Sequence, residues 1–408
     1  MKTALETLSD RSAPDDPGLR GTNQTGMREQ NERLVLSLVR KQSALAKTDI
    51  ARITGLSAQT VSVIMRSLEA EGLLLRGEPV RGRIGQPSVP MSLNADGAFF
   101  FGLKIGRRSA DLTLIDFQGH VRATRRQIYR YPTPSTVIDF VAEAMPAITA
   151  TLPKAHQARI SGMGVAMPFQ LWNWVQTIGA PQAEMDAWRT RDIQAELAAL
   201  TAMPVYVQND ATAACGAELV FGTGDRPKDF LYFYFGYFIG GGLVLNGQLF
   251  TGRTGNAAGV GPMPVPGPDG QMRRLLDVAS MSTLAAAMDA AGESSAHLWE
   301  NPDQWHVSEA ILSAWLDTAA EGLASAILSA STLMELETVI IDGWMPTSIR
   351  AEITRRTAAA FHRLDLAGID PPQIREGTVG AQARALGAAA IPLSQRYLID
   401  QNAALRDA

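Results

Sequence analysis

Residues 47–76 read KTDIARITGLSAQTVSVIMRSLEAEGLLLR, a stretch with start and stop signals for two short helices. We predict that Thr48 is the N-cap of the first helix and that Gly55 ends it, because glycine tolerates the left-handed C-terminal turn. Ser57 is predicted to cap the next helix and Gly72 to close it. The apolar residues of this helix recur on one face, namely Val61, Ile64, Met65 and Leu68. We interpret the stretch as a helix-turn-helix.

The flanking sequence completes a winged form of this motif. A helix over roughly 29–41 precedes it. Residues 73–76 and 88–93 can pair as a short β-ribbon, and the wing between them carries Arg81 and Arg83 at its tip.

The predicted winged helix-turn-helix, residues 27–93, is basic, whereas the rest of the chain is acidic. It contains ten Lys and Arg against six Asp and Glu, a net charge of +4. Because the whole chain carries −4, the remainder carries −8. This distribution indicates a localised contact with double-stranded DNA. Residues 1–26 are polar and lack periodicity, so we expect a flexible tail.

The composition predicts a folded, cytoplasmic protein. Of the 408 residues, 46% are hydrophobic, which allows a large buried core. No uninterrupted apolar run approaches the ~20 residues that a membrane helix needs, and the N-terminus lacks a signal-peptide core. The single cysteine, Cys215, excludes an internal disulfide and any multi-cysteine metal site.

Beyond residue 93, strand and helix patterns indicate an α/β fold with mixed sheets in two lobes. Asn246 and Gly247 predict a type I′ hairpin. Helices dominate after residue 275. The predicted strands are 99–105, 111–116, 121–129, 160–167, 205–208, 231–235, 241–245, 248–250 and 338–341.

Several stretches resemble the ROK family (repressors, open reading frames and kinases). They are GLKIGRRSADLTLID at 102–116, GVAMP at 164–168, QNDATAACGAE at 208–218, FIGGGLVLNGQLFTG at 238–252, AGVGPMPV at 258–265 and LGAAAIPL at 386–393. The stretches at 21–31 and 54–74 resemble the DNA-binding region of the family's repressor branch. The resemblance implies an actin-like, sugar-kinase-type body, with lobe 1 at residues 94–208 plus 388–408 and lobe 2 at residues 209–387.

The phosphate-binding stretches depart from those of the family's kinases. The first phosphate loop, Asp-x-Gly-Gly-Thr in kinases, reads KIGRR at 104–108. The second begins Gly-Thr-Gly in kinases and reads GYF at 236–238, while Trp344 is bulky on the adenine side. Bulky side chains would fill the space where phosphate oxygens approach the backbone. Asp210, which matches the catalytic base, does not suffice alone, so we predict no catalytic residue, no cofactor and no enzyme activity.

The resemblance also bears on metal binding. Most family members hold zinc with one histidine and three cysteines, and zinc needs about four such ligands. Here Pro262 occupies the histidine position and the cysteine loop is missing. We predict no metal site.

The resemblance places a ligand between the lobes. The positions that match or adjoin the family's sugar contacts are Phe169, Asn209, Asp210, Thr212, Glu218 and Gly259. Gly259 stands where the family has glutamate, so the pocket departs from the usual hexose pattern. We expect a sugar or sugar-phosphate effector near Asp210, in a non-standard pose.

In the winged helix-turn-helix, the third helix should enter the major groove. Gln59 can pair with adenine, and Ala58 or Thr60 can touch a thymine methyl. Lys47 and Arg52 are expected at the DNA backbone. The full predicted DNA-binding set is Lys47, Arg52, Ser57, Ala58, Gln59, Thr60, Ser62, Arg66, Arg81 and Arg83.

These features together predict a cytoplasmic repressor of carbohydrate genes, a homodimer or tetramer on a palindromic operator. Three alternatives remain open. They are a regulator that has lost its small-molecule response or answers to a protein partner, a residual sugar kinase, and an activator.

Overall fold

The computed structural model describes residues 24–79, 88–175, 179–225 and 227–399. Arg81 and Arg83 at the predicted wing tip therefore lie outside the described residues, as does the tail at 1–23. The first helix already begins at Gln24, so the prediction of a tail reaching residue 26 was wrong at its end. Residues 24–28 contribute no apolar stripe from which the sequence could have indicated this extra turn.

We call residues 24–93 the head and the chain beyond residue 93 the body. The described part of the head contains helices and a small antiparallel sheet. Its elements are α1 (Gln24–Gln42), β1 (Ala44–Ala46), α2 (Lys47–Thr54), α3 (Ala58–Ala70), β2 (Leu74–Arg76) and β3 (Pro90–Leu93). The sheet order is β1-β3-β2, so the predicted ribbon is confirmed and gains one strand. Gly55 adopts φ +72°, and Ser57 Oγ accepts a 3.0 Å hydrogen bond from Thr60 N, as predicted.

The predicted N-cap of α2 was wrong. The capping position is Ala46, without a side-chain hydrogen bond, and Thr48 lies inside the first turn. The reason is that β1 leads directly into the helix. Because Ala46 pairs with Pro90 in the sheet, the backbone enters the helix two residues earlier than predicted.

Lobe 1 is built on a five-stranded sheet of order β6-β5-β4-β7-β8. Strand β4 pairs antiparallel with β5 and parallel with β7, and β7 pairs parallel with β8. Every residue of β4 is buried, which explains its continuous apolar run. The elements are β4 (Phe99–Ile105), β5 (Ser109–Asp116), β6 (Val121–Ile128), α4 (Pro134–Thr149), α5 (Lys154–Gln157), β7 (Ile160–Met167), α6 (Gln182–Thr190), α7 (Ile193–Thr201) and β8 (Val205–Asn209).

Lobe 2 contains a second five-stranded sheet, of order β11-β10-β9-β14-β15. Asn246 and Gly247 have φ of 53° and 73°, which confirms the type I′ hairpin. The elements are α8 (Asp210–Phe221), β9 (Phe230–Phe235), β10 (Ile239–Leu245), β11 (Gln248–Phe250), β12 (Pro264–Pro266), β13 (Met272–Arg274), α9 (Leu276–Ala279), α10 (Met281–Ala290), α11 (Glu309–Ser331), β14 (Thr338–Gly343), α12 (Thr347–Phe361) and β15 (Gln373–Glu376).

The last described helix, α13 (Ala383–Tyr397), packs backbone to backbone against its neighbours. A Cβ added at Gly387 would lie 1.9 Å from the carbonyl oxygen of Ala213 in α8. A Cβ added at Gly164 in β7 would lie 1.9 Å from the carbonyl oxygen of Ala388. The glycines in LGAAAIPL and GVAMP are therefore needed for this close approach.

The head and lobe 1 share one hydrophobic core. Val35 and Val39 of α1 belong to the same buried cluster as Phe100 of β4 and Leu393 of α13. Polar contacts reinforce this junction, because Ser37 Oγ accepts a 3.0 Å hydrogen bond from Ile399 N. The head is thus packed onto the body, with apolar side chains from both sides excluding water.

Helix α11 is, among the described residues, the one helix long and apolar enough to suit a membrane span. Half of its apolar window is buried within the protein. Leu316, Leu323 and Ile327 of α11 are among the buried residues of the lobe 2 core.

Candidate nucleic-acid interface and inter-lobe cleft

The face of α3 that the sequence assigned to DNA is exposed. Ser57, Ala58, Gln59 and Arg66 are exposed, and Thr60 and Ser62 are half-buried. The hydroxyls of Ser57 and Thr60 lie 2.8 Å apart, so both belong to the helix cap. The cap fixes the end of α3 from which Gln59 projects.

The two cations near α2 differ in their surroundings. Lys47 Nζ lies 3.4 Å from Ser62 Oγ and bridges α2 to α3. Arg52 pairs with Asp49 at 3.6 Å, and 74% of its side chain remains exposed. An exposed guanidinium beside the recognition helix is well placed for a phosphate contact.

Sequence reasoning missed Val63. Its side chain is 46% exposed, four residues after Gln59 and therefore on the same face of α3. The sequence did indicate this, because Val63 does not belong to the buried apolar face of α3. An apolar side chain on this face can touch a thymine methyl group.

In the cleft, the first former phosphate loop is closed by ion pairs. Lys104 Nζ lies 3.0 Å from Asp111 Oδ2, and Arg126 Nε donates to the other oxygen of Asp111. Burial, together with the nearby Arg384 and Arg126, outweighs the opposing effect of Asp111 and lowers the pKa of Lys104 to about 8. Burial raises the pKa of Asp111, but Lys104 and Arg126 outweigh it, and the net shift is downward.

Two cation–π contacts connect lobe 1 to lobe 2 across the same region. The guanidinium of Arg107 lies 3.9 Å from the ring centre of Tyr237. The guanidinium of Arg126 lies 5.7 Å from the ring centre of Trp344. Tyr237 also packs edge-on against Phe238, with ring centres 4.9 Å apart. Side chains from both lobes therefore occupy the region that the resemblance assigns to the nucleotide.

The predicted effector residues at the start of α8 already have protein partners. Asn209 caps α8, its Oδ1 accepting from Ala211 N at 3.0 Å. Asp210 Oδ2 accepts a 3.2 Å hydrogen bond from Arg384 Nη1. Burial lowers the pKa of Arg384, but Tyr234 and Asp210 outweigh it, and the net shift is upward. Asp210 is thus half of a largely buried ion pair.

Glu218 and Thr212 lie deeper than a ligand contact requires. Glu218 Oε2 accepts a hydrogen bond of 2.9 Å from Thr378 N, and its Oε1 accepts one of 2.9 Å from Thr378 Oγ1. Burial raises the pKa of Glu218. Thr212 is only 1% exposed. Glu218 is thus engaged by residue 378 and Thr212 is buried, so neither predicted effector contact is exposed in the cleft.

Phe169 and Gly259 lie at the loop that follows β11, which also contacts Gln208 near the end of β8. A Cβ added at Gly255 would lie 3.3 Å from the ring of Phe169. Gln208 Nε2 donates to the carbonyl of Gly255 at 3.2 Å, and the amide of Asn256 lies beside Gly259. Asn256 is exposed and was not predicted as a contact, although an asparagine in a glycine-rich loop was a usable signal.

Two cavities, of about 480 and 540 Å³, lie elsewhere on lobe 2. The first is lined by Trp315 and Ile311 of α11, and both include Arg273 and Asp277. Neither includes a residue of the cleft around Asp210. Within the described ranges, no group of three or more His, Cys, Asp or Glu side chains could hold a metal ion.

The fold and the two sites define a class of protein: a winged helix-turn-helix joined to a two-lobed, sugar-kinase-like body. The chain belongs to the ROK family, whose model matches residues 100–394. A winged helix-turn-helix DNA-binding model matches residues 28–74. The predicted fold class and family are therefore confirmed.

The relatives include named repressors. The chain is 25% identical over 371 residues to protein y4fQ of Sinorhizobium fredii, covering 90% of this chain and 91% of that protein. It is 22% identical to the xylose repressor of Bacillus subtilis over 60% of this chain and 62% of the repressor. It is also 22% identical to the DNA-binding transcriptional dual regulator NagC of Escherichia coli K12, over 64% of this chain and 63% of NagC. The matches to these two regulators thus span less than two thirds of their length.

Solved structures agree on the fold. A ROK family transcriptional regulator, described as a homologue of the E. coli MLC protein, superposes with a TM-score of 0.65 at 19% identity, covering 93% of this chain and 99% of that one. A ROK family glucokinase from Streptomyces griseus, in complex with glucose and AMPPNP, gives 0.54 at 20% identity, covering 72% of this chain and 99% of the kinase. A ROK transcriptional regulator and a ROK kinase therefore share this architecture.

Proposed function

We propose that this chain is a cytoplasmic transcriptional repressor of carbohydrate genes whose DNA affinity responds to a sugar-like ligand between the lobes. One observation carries the proposal. A DNA-reading helix is exposed on the head, while Arg107 and Tyr237 close the region of the body that would seat a nucleotide. The named repressors among the relatives support it.

The proposed assembly is a homodimer or a dimer of dimers on a palindromic operator. Symmetric half-sites need paired heads, and closed symmetric oligomers are the common solution. Gln59 and Val63 are assigned to base edges, and Lys47, Arg52 and Arg66 to the DNA backbone. Arg81 and Arg83 retain their proposed wing role.

The direct test is a gel-shift assay on the intergenic region beside the gene, with and without a panel of sugars and sugar phosphates. We expect a shifted band that at least one compound reverses or strengthens. A chain that shifts neither this region nor any genomic fragment at low salt would contradict the proposal.

A residual kinase is the second candidate, since Asp210 occupies the position of the family's catalytic base. A single matching carboxylate argues against it, because phosphoryl transfer also needs donors that cradle the phosphates and a carboxylate that holds the metal. We expect no sugar-dependent ATP turnover. Turnover that vanishes in Asp210→Asn would instead establish an enzyme.

A further inference from the structure

The former nucleotide region carries an excess of positive charge. Four cationic side chains and two carboxylates contact one another or face the same loops there, namely Lys104, Arg107, Arg126, Arg384, Asp111 and Asp210. Asp111 pairs with both Lys104 and Arg126, and Asp210 pairs with Arg384. Arg107 has an aromatic ring as its neighbour and pairs with no carboxylate among the described residues. The group therefore has a net charge of +2.

The nearby buried carboxylate does not cancel this charge. Asp342 is fully buried on the lobe 2 side and is 3.0 Å from Arg350 Nη1. It also accepts hydrogen bonds of 3.0 Å from Tyr232 Oη and 2.9 Å from Gly380 N. The oxygens of Asp342 are therefore already occupied within lobe 2, where Arg350 also pairs with Glu376.

Two of the cations also have unused donors. The Nε atoms of Arg107 and Arg384 are buried and have no hydrogen-bond partner among the described residues. Arg384 Nη1 would lie 3.6 Å from a Cβ added at Gly236, and Arg107 packs on Tyr237 in the same loop. The two guanidiniums thus flank residues 236–237 from opposite lobes. Buried donors without an acceptor are unfavourable, and an anionic oxygen is the strongest acceptor for a guanidinium.

We propose that the cleft selects an anionic carbohydrate, one carrying a phosphate or a carboxylate group, over its neutral parent. Arg384 and Arg107 bind the anionic group, and Asp210 binds hydroxyls. This inference rests on the proposed function, because it takes the cleft as the ligand site. It adds the chemical class of the ligand and names Arg384 as the residue that determines it.

The test is isothermal titration of the full chain with matched probes. Glucose is compared with glucose 6-phosphate and glucuronate, and N-acetylglucosamine with its 6-phosphate, with inorganic phosphate as a further probe. We expect at least one charged probe to bind ~10-fold or more tightly than its neutral parent. The phosphate and carboxylate arms then identify which anionic group is read.

Variants locate the selectivity. Arg384→Gln should reduce the ratio of the charged probe's affinity to that of its neutral parent by ~10-fold or more, whereas Arg384→Lys should retain part of the preference. Arg107→Gln provides a second, independent loss if Arg384→Gln unfolds in a thermal melt. Arg355→Gln is the matched control, because Arg355 pairs with Glu352 on the exposed side of α12. Its affinities should not change.

A neutral sugar that binds as tightly as its charged form would overturn the inference, and so would a panel in which no probe binds. The same ligand-free preparations are assayed by gel shift. If the chain binds its operator but prefers a neutral ligand, only the proposed selection of an anionic group is wrong. If the chain does not bind an operator, the proposed function itself is wrong.

Discussion

The pair between Asp210 and Arg384 separates this chain from what its motifs predict at single positions. QNDATAACGAE keeps the family's aspartate, but the structure gives that aspartate a guanidinium from the last helix at 3.2 Å. The two residues are 174 positions apart. No periodicity or local motif relates them, so sequence reasoning could identify Asp210 but not its changed environment.

Lys104 gives a pH-dependent prediction. Its pKa falls to about 8 in the folded chain, from an ordinary value of 10.5. Between these values the unfolded chain binds more protons, so the stability of the wild type should rise with pH. Relative to Lys104→Met, which cannot titrate, it should gain roughly 2 kcal/mol between pH 7 and 9.5.

Urea unfolding of both proteins at the two pH values measures this difference. Comparison with Lys104→Met cancels the titration of every other group that the substitution leaves unchanged. Parallel shifts of the two unfolding free energies would show that Lys104 keeps its ordinary pKa.

Gln59 and Arg52 give a second residue-scale prediction. Gln59→Ala should lower the affinity for the cognate operator by about 1–3 kcal/mol and leave the affinity for scrambled DNA unchanged. Arg52→Ala should weaken binding to both sequences and reduce the salt slope of log K by about 1. Fluorescence anisotropy on both duplexes over a salt series measures this, with Arg355→Ala as the control. Equal losses for the two variants on both duplexes would refute the division of roles.

At the scale of the element, α13 connects the parts of the chain. Arg384 in its first turn touches the cleft, and Tyr397 in its last turn packs on Phe100 and Phe117, with ring centres 5.9 and 5.0 Å away. Between these ends, Gly387 lets α13 lie directly on α8. One continuous helix thus reaches from the cleft to the core that holds the head.

Gly387→Ala tests this packing. Alanine is ordinarily better than glycine inside a helix by about 1 kcal/mol. Here the added Cβ would lie 1.9 Å from a carbonyl oxygen, so we expect a loss of about 2 kcal/mol or more. Gln395→Ala, at an exposed position of the same helix, should change stability by less than about 0.5 kcal/mol. A stabilised Gly387→Ala protein in chemical unfolding would show that α13 is not tightly packed.

Most elements were predictable because their signals are local. The β7 bounds of Ile160–Met167 match the predicted strand, since a continuous apolar run marks a buried parallel strand. The strands β1 and β15 were not predicted. Ala44–Ala46 is too short to show a period, and Gln373–Glu376 is polar at an edge, so both depend on partners distant in sequence.

At the scale of the whole molecule, the shared core fixes the head relative to lobe 1. Arg40 donates to the carbonyl of Phe117, and its guanidinium lies 5.4 Å from the Phe117 ring centre. Because Val35 and Phe100 pack in one cluster, reorienting the head requires movement of the body as well. Paired heads in an oligomer should therefore hold a narrow range of half-site separations.

Operator spacing tests this rigidity. Inserting five base pairs between the half-sites turns one of them about half a helical turn away, and we expect at least ~10-fold weaker binding. A ten-base-pair insertion restores the facing side but changes the distance by about 34 Å, so binding should stay weak. Gel-shift titrations on the three duplexes measure it. Equal affinity for all three would mean that the heads move independently.

The buried junction between α1, Phe100 and Leu393 also bears on how this regulator can diversify. A head separated from its body would expose apolar surface to water, so it is not an independent module that regulators can exchange. New operator preferences must come instead from substitutions on the exposed face of α3 that leave the core shared by head and body unchanged.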